Sequence, residues 1–145
     1  MYLPVTASGR IPVTEDDHPV LVGQPAGEVL VEVGQLRAFF LEEELAADLG
    51  RLKDATFFAG HGEILKVLHL MRNRREMRFH PRTGRELSFP EPGAVGRDAD
   101  AVVFPRIDPA VIGIIHHPES DRILLARNRA RSRFFSLIAR YVEPG

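Results

Sequence analysis

The sequence predicts an α+β fold in which short strands outnumber helices, and three observations carry this prediction. Valines alternate with other residues from Val29 to Val33, which is typical of a half-buried strand, and Gly34 and Gln35 supply a turn. Apolar residues then recur every three or four positions, the period of an amphipathic helix. The segment FPRIDPAVI, residues 104–112, has two prolines and leads into a β-branched run, so it predicts a stiff linker that enters a second strand-rich region.

Composition limits the classes of function. The 145 residues are 44% hydrophobic and 27% charged, with a net charge of -1 and no cysteine. Disulfides and thiolate metal ligands are therefore excluded, and no apolar run reaches the length of a membrane span. Residues 1–56 carry ten acidic and four basic residues, whereas residues 57–145 carry ten acidic and fifteen basic ones. We expect a cytoplasmic protein without a membrane partner, in which a phosphate-bearing ligand would favour the second half unless the uneven charge has no consequence.

The first 56 residues predict short strands, a hairpin and one helix. Turn residues are frequent before residue 28, and His18–Val22 is the best strand candidate there. The hairpin continues from Gln35 into Leu36–Leu41. A helix of about eleven residues follows, with three glutamates in its first turn, which complements the helix dipole. Its apolar positions are Leu41, Leu45, Leu49 and Leu52.

A second helix is predicted to begin after Thr56 as N-cap and to run to about Arg75. Its apolar stripe consists of Phe57, Ile64, Leu65, Leu68 and Met71. Prolines and glycines exclude a long element in residues 79–103, although a short hairpin around Pro81–Gly84 is compatible with the pattern.

Strands are predicted again after the proline-rich segment. Val111–His116 and Arg122–Ala126 form a β-hairpin through a turn at Pro118–Asp121, and Phe135–Val142 is a third strand.

Residues 104–112 and the terminal YVEPG resemble the NAD(H) diphosphatases (NADH pyrophosphatases) of the Nudix hydrolase superfamily. Members of this family read FPRTDPAVI and SVLAGFVEPGE at the corresponding positions. The resemblance extends upstream, where RFHPRTGREL is similar to the FCPRCG segment of the family. It implies an N-terminal Nudix-like domain at residues 1–56 and a helix with a degenerate zinc-ribbon-like segment at residues 57–103. The third part, residues 104–145, is implied to be the truncated beginning of a Nudix α/β/α domain.

The chain departs from the family where the family carries a four-cysteine zinc ribbon. The corresponding positions are His80, Thr83, Gly96 and Ala99. One possible ligand of four does not hold zinc tetrahedrally, so we expect a metal-free ribbon-like linker.

The catalytic motif is the second departure. Its opening glycine corresponds to Arg140, its internal glutamate to Glu143, and the later glutamates that bind Mg²⁺ or Mn²⁺ do not occur in the sequence. No catalytic residue is therefore assigned. The resemblance implies substrate contacts at Phe104 and at Tyr141, where an aromatic ring stacks on a base, and a metal contact through the backbone carbonyl of Ala139. Both aromatic residues are equally compatible with a packing role.

The resemblance implies that this chain is the N-terminal fragment of a hydrolase that cleaves the pyrophosphate of NADH or NAD to nicotinamide mononucleotide and AMP. The isolated chain is expected to be inactive. The parent protein would use Mg or Mn, form a homodimer, and accept NAD-capped RNA as a further substrate. The alternative is a non-catalytic regulatory or interaction module derived from the same family, and Arg140 and the lost zinc ligands favour it. An unrelated β-rich binding domain requires an accidental match at residues 104–112.

Overall fold

The computed structural model describes residues 1–99, 101–127, 129 and 134–142. It divides into two compact units, Met1–Pro105 and Arg106–Gly145. Strands predominate over two helices, so the α+β prediction is confirmed. Neither described helix has the length and apolar character of a membrane span.

Among its described residues, the first unit contains seven strands and two helices. In chain order they are β1 (Tyr2–Val5), β2 (Ile11–Val13), β3 (Val29–Val33), β4 (Leu36–Phe40), α1 (Glu43–Leu49), β5 (Arg51–Lys53), α2 (Gly62–Glu76), β6 (Gly96–Asp98) and β7 (Ala101–Val103).

The central sheet has the strand order β1-β4-β3. Strands β3 and β4 form the predicted hairpin, in which Gly34 adopts a positive φ of 58° at the turn. Strand β1 lies parallel to β4, and α2 packs against β3 and β4. The core between these elements includes Leu3, Val31 and Val67, each fully buried. The alternation of valines therefore correctly predicted β3, one of the strands against which α2 packs.

The predicted strand His18–Val22 is wrong. Two isolated bridges replace it, one between Pro19 and Val13 and the other between Val22 and Tyr2. The segment crosses from β2 to β1, and Pro19 has no N–H to donate, so no continuous ladder forms.

The first predicted helix is shorter than expected and buries another face. It spans only Glu43–Leu49, Leu45 is 54% exposed, and Ala46 is its buried residue. The helix ends because the chain passes close to Val13 at Gly50 and then pairs with β2 as strand β5. A tertiary contact thus overrides the leucine spacing.

Helix α2 ends within one residue of the predicted position but begins later. Thr56 is not its N-cap, because its hydroxyl donates to the Asp54 carboxylate at 2.5 Å inside a series of turns. The predicted stripe is confirmed at its centre, and the buried ring before the helix belongs to Phe58 rather than to Phe57. The buried residues of α2 are Ile64, Val67, Leu68 and Met71.

Residues 79–103 form two short hairpins. The first is the predicted turn at Pro81–Gly84, closed by a bridge between Phe79 and Glu86. The second is the antiparallel pair β6–β7. A further bridge between Ser88 and Arg97 joins the two hairpins.

The second unit consists of three antiparallel strand pairs among its described residues. Its strands are β8 (Ala110–Gly113), β9 (His116–His117), β10 (Arg122–Ile123), β11 (Ala126–Arg127), β12 (Phe135–Ser136) and β13 (Ile138–Tyr141). The pairs are β9–β10, β11–β12 and β8–β13.

The turn at Pro118–Asp121 and its hairpin are confirmed by the pair β9–β10. The strands predicted as Val111–His116, Arg122–Ala126 and Phe135–Val142 are each split in two. The reason is a change of partner: β9 pairs with β10, whereas β8 pairs with β13 near the other end of the unit. The predicted motif residue Glu143 lies outside the described residues.

Candidate functional site

The candidate site is built on the strand pair β8–β13. Tyr141 lies opposite Ala110 in the antiparallel register, and Ala139 lies opposite Ile112. The Val142 backbone N–H donates to the Pro109 carbonyl at 2.8 Å and extends the pairing by one step. The two segments that carry the family resemblance, residues 104–112 and the terminal stretch, are therefore hydrogen-bonded neighbours where they meet in this unit.

Strand periodicity places Ala139 and Tyr141 on one face of β13 and Arg140 on the other. The Tyr141 side chain is 71% exposed, so its ring is free of the packing that a core aromatic residue would have. Arg140 takes the place of a glycine, but its side chain leaves from the face opposite to Tyr141. The arrangement can present one flat aromatic surface to a planar ligand.

Phe104 lies in the first unit, one residue before its end, and is 70% exposed. Two residues later, the Arg106 guanidinium donates to the Asp108 carboxylate at 2.5 Å. The structure thus brings Ala139 and Tyr141 together on one strand, and it places Phe104 as an exposed ring at the start of the proline-rich segment.

A divalent cation is implied by the resemblance, so we tested whether the residues present fit one. Among the described residues, no group of three or more His, Cys, Asp or Glu side chains is arranged to hold a metal ion. The Ala139 carbonyl is one oxygen donor, whereas Mg²⁺ requires about six oxygen ligands. The described part of the chain does not fit the metal, and we derive no chemical step through it.

Zinc is the second implied metal, and the first ligand pair does not fit it. His80 is buried, and its Nδ1 atom accepts hydrogen bonds from the backbone N–H groups of Arg82 and Thr83 at 3.1 and 3.2 Å. The Nδ1 lone pair is therefore already engaged. Thr83 offers a neutral hydroxyl, which is not among the usual zinc ligands.

The second ligand pair fits no better. A Cβ at Gly96 would lie 2.9 Å from the Cδ1 atom of Leu87, a buried side chain. Leu87 thus fills the space that a ligand at position 96 would need, and the Ala99 methyl group binds no metal.

A cleft of about 430 Å³ in the first unit was not predicted. It lies between the turn that follows β1 and the second half of α2, and its polar lining includes Thr6, Asp54, His69, Arg72 and Glu76. The Arg72 Nε atom lies 2.9 Å from Glu76 one helical turn away, so these two charges offset each other. Hydrogen bonds from the Thr56 hydroxyl and backbone lower the pKa of Asp54. Because the lining comes from four separate stretches of sequence, no local pattern marked it.

The described residues define a small α+β chain with an exposed aromatic residue on a strand pair. Comparison with known proteins shows that part of this chain is similar to a group of hydrolases. Over 43 residues, 29% of its length, the chain is 56% identical to proteins named NAD-capped RNA hydrolase NudC. Two of them come from Mycobacterium tuberculosis (strain ATCC 25618 / H37Rv) and Mycobacterium bovis (strain BCG / Pasteur 1173P2). The matched stretch spans 13% of the length of each relative. No protein-family model matches the chain.

Proposed function

We propose that this chain is the N-terminal part of a Nudix hydrolase of the NAD(H) diphosphatase type. The parent reaction splits the pyrophosphate of NADH or NAD and releases nicotinamide mononucleotide and AMP. The observation that carries the proposal is the 56% identity over 43 residues to proteins named NAD-capped RNA hydrolase NudC. Because those relatives are named for NAD-capped RNA, an NAD-capped RNA end is a second substrate of the same chemical class.

The geometry of β8–β13 supports the proposal. Tyr141 stands opposite Ala110 on a hydrogen-bonded strand pair, and its ring is exposed on the same face as Ala139. In our proposal this ring stacks on a base of the dinucleotide, and the family resemblance separately gives Phe104 a substrate contact. Stacking needs only a flat ring, so a tyrosine serves where the family has a phenylalanine.

The exposure of the second unit also supports the proposal. Large apolar side chains on its described strands, among them Val111, Ile112 and Phe135, are more than half exposed. Isolated two-stranded pairs with such faces are marginally stable in water, whereas a further layer of structure would bury them. We propose that further elements of a longer protein provide this layer.

Catalysis is assigned to that longer protein. The motif glutamates, which are absent from this sequence, would hold Mg²⁺ or Mn²⁺ there, and the metal would supply positive charge next to the pyrophosphate. From this chain we assign one metal contact, the Ala139 carbonyl, and two substrate contacts, Phe104 and Tyr141. The 145-residue chain alone is therefore proposed to be inactive. We also propose a cytoplasmic location and a homodimeric parent.

The alternative proposal is a non-catalytic regulatory or interaction module. The feature that favours it is Arg140, a long charged residue at the position where the Nudix motif begins with glycine. The position of Arg140 on the face opposite to Tyr141 reduces the force of this argument, because the side chain leaves the proposed stacking face open.

The length of the natural gene product separates the two proposals. Its intact mass and its coding sequence beyond Gly145 would be determined from the source cells. A hydrolase requires a glutamate directly after Gly145 and then an Arg-Glu-x-x-Glu-Glu helix. A natural product that stops at Gly145 would contradict the hydrolase and support the module.

A further inference from the structure

The two hairpins of residues 79–103 are joined by side chains at the place where the related proteins are expected to use zinc. The first hairpin carries His80 and Thr83, and the second begins at Gly96 in β6. Backbone bonds between Ser88 and Arg97, both 2.8 Å long, align the hairpins. A single bridge forms this ladder among the described residues, so we expect further contacts to hold the hairpins in place.

Asp98 makes these contacts from the second hairpin. The Thr83 hydroxyl donates to Asp98 Oδ2 at 3.0 Å, and Arg85 Nη1 donates to Asp98 Oδ1 at 3.4 Å. Both oxygens of one carboxylate therefore receive donors from the first hairpin. The Asp98 side chain is only 3% exposed, so water competes little for these bonds.

The first hairpin is prepared for this contact by its own bonds. The two hydrogen bonds from backbone N–H groups to His80 Nδ1 fix the turn. The Arg85 backbone N–H donates to the Thr83 hydroxyl at 3.4 Å. The Thr83 oxygen thus has an acceptor role within its hairpin and a donor role towards Asp98. The bond within its own hairpin helps to orient the Thr83 hydroxyl towards Asp98.

We propose that Thr83, Arg85 and Asp98 form a polar clasp that replaces the metal of a zinc ribbon. The clasp connects the same two hairpins, and Thr83 stands at a position where the family resemblance implies a zinc ligand. Folding of residues 79–103, which lead directly into residues 104–112, then requires neither zinc nor reduced thiols. This segment would keep its structure under zinc limitation and under thiol oxidation, conditions that disrupt a cysteine-ligated ribbon.

The test combines metal analysis with hydrogen exchange on the 145-residue chain. We expect substoichiometric zinc after purification from zinc-supplemented cells and unchanged amide exchange in EDTA. The amides of Ser88 and Arg97 report on the clasp because they bridge the two hairpins. Thr83→Val, which removes the hydroxyl at similar size, and Asp98→Ala should each speed their exchange about tenfold.

Two matched variants control for general damage to the segment. Thr83→Ser restores the hydroxyl and should exchange at the original rate. Glu86→Ala removes an exposed ion pair with Arg78 in the same hairpin and should also leave the rate unchanged. Stoichiometric zinc with accelerated exchange in EDTA would overturn the proposal, and so would wild-type exchange in both Thr83→Val and Asp98→Ala.

Discussion

Tyr141 is the residue on which the substrate proposal depends. The sequence alone identifies Ala139 and Arg140 as the positions before Tyr141. The strand pairing adds that Arg140 lies on the opposite face of β13 from Tyr141. Neither the exposure of the ring nor its pairing with Ala110 could be predicted locally, because both depend on a strand about thirty residues earlier.

The first prediction concerns this ring. Tyr141→Ala in the whole gene product should raise the KM for NADH about tenfold, since stacking on a base contributes roughly 1–3 kcal/mol. Tyr141→Phe should keep the wild-type KM because the flat ring remains. Phe135→Ala is the matched control, as Phe135 is a similarly exposed ring on the separate pair β11–β12. Equal KM values for wild type and Tyr141→Ala would remove Tyr141 from the site.

Asp98 gives a prediction for pH dependence. Burial raises its pKa, but hydrogen bonds from Thr83 and Arg85, the Arg85 charge and the Ala99 amide outweigh burial and hold the pKa below its usual range. A carboxylate with a lowered pKa contributes stability above its unfolded pKa and loses that contribution as the pH falls through the folded value. The stability gap between wild type and Asp98→Asn should therefore be present at neutral pH and close in strong acid.

Urea unfolding of both proteins across that pH range measures the gap. The variant Glu86→Gln alters an exposed pair in the same segment and should show a small gap throughout. A gap for Asp98→Asn that is equally large at acid and neutral pH would contradict the role of the Asp98 charge.

Arg74 joins α2 to the rest of the first unit. Its Nη1 atom donates to the carbonyls of Leu30, Glu91 and Gly93 at 2.8 to 3.2 Å, and Nη2 reaches Glu28 at 3.3 Å. The side chain is 12% exposed, and burial lowers the pKa of the guanidinium while Glu28 counteracts this effect. These long-range hydrogen bonds have no local signal in the sequence.

We predict that Arg74→Lys costs about 2 kcal/mol of unfolding free energy, because one ammonium group does not reproduce a planar guanidinium with several acceptors. Arg72→Lys is the control, since Arg72 is exposed and makes an i,i+4 pair with Glu76. It should cost less than about 0.5 kcal/mol. Equal losses in denaturant titrations of the two variants would show that the Arg74 bonds contribute nothing specific.

At the scale of elements, local sequence patterns correctly predicted those helices and hairpins whose limits depend on residues close in sequence. The hairpin β3–β4 and the end of α2 followed from alternation, turn residues and helical spacing. Helix α1 was overestimated, because β5 pairs with β2 and takes Leu52 out of the helix. The strands of the second unit were predicted as continuous because the alternation of apolar residues does not show where a strand changes its pairing partner.

Gly50 tests the tertiary contact that ends α1. A Cβ at this position would overlap the backbone carbonyl of Val13, and a backbone atom cannot turn away as a flexible side chain can. Gly50→Ala should therefore cost about 2–3 kcal/mol of unfolding free energy. At Gly60 an added Cβ has open space, so Gly60→Ala should change stability by less than about 1 kcal/mol. Chemical denaturation of both variants measures these changes in unfolding free energy. An unchanged unfolding free energy for Gly50→Ala would contradict the close approach of Gly50 to Val13.

At the scale of the whole molecule, the two units differ in how they bury apolar residues. The first has a core of fully buried side chains between its sheet and α2, whereas the described strands of the second expose most of theirs. The sequence predicted a boundary near the proline-rich segment from backbone restrictions alone. The difference in burial between the two units could not be predicted from the sequence, since both regions have the same apolar strand patterns.

Cleavage of NADH tests the central claim most directly. The complete natural gene product and the 145-residue chain would be incubated with NADH and Mn²⁺, with AMP and nicotinamide mononucleotide quantified by chromatography. We predict equal amounts of both products from the complete protein, none after chelation, and none from the 145-residue chain. Absence of cleavage by the complete protein, or chelator-sensitive cleavage by the 145-residue chain alone, would contradict this prediction.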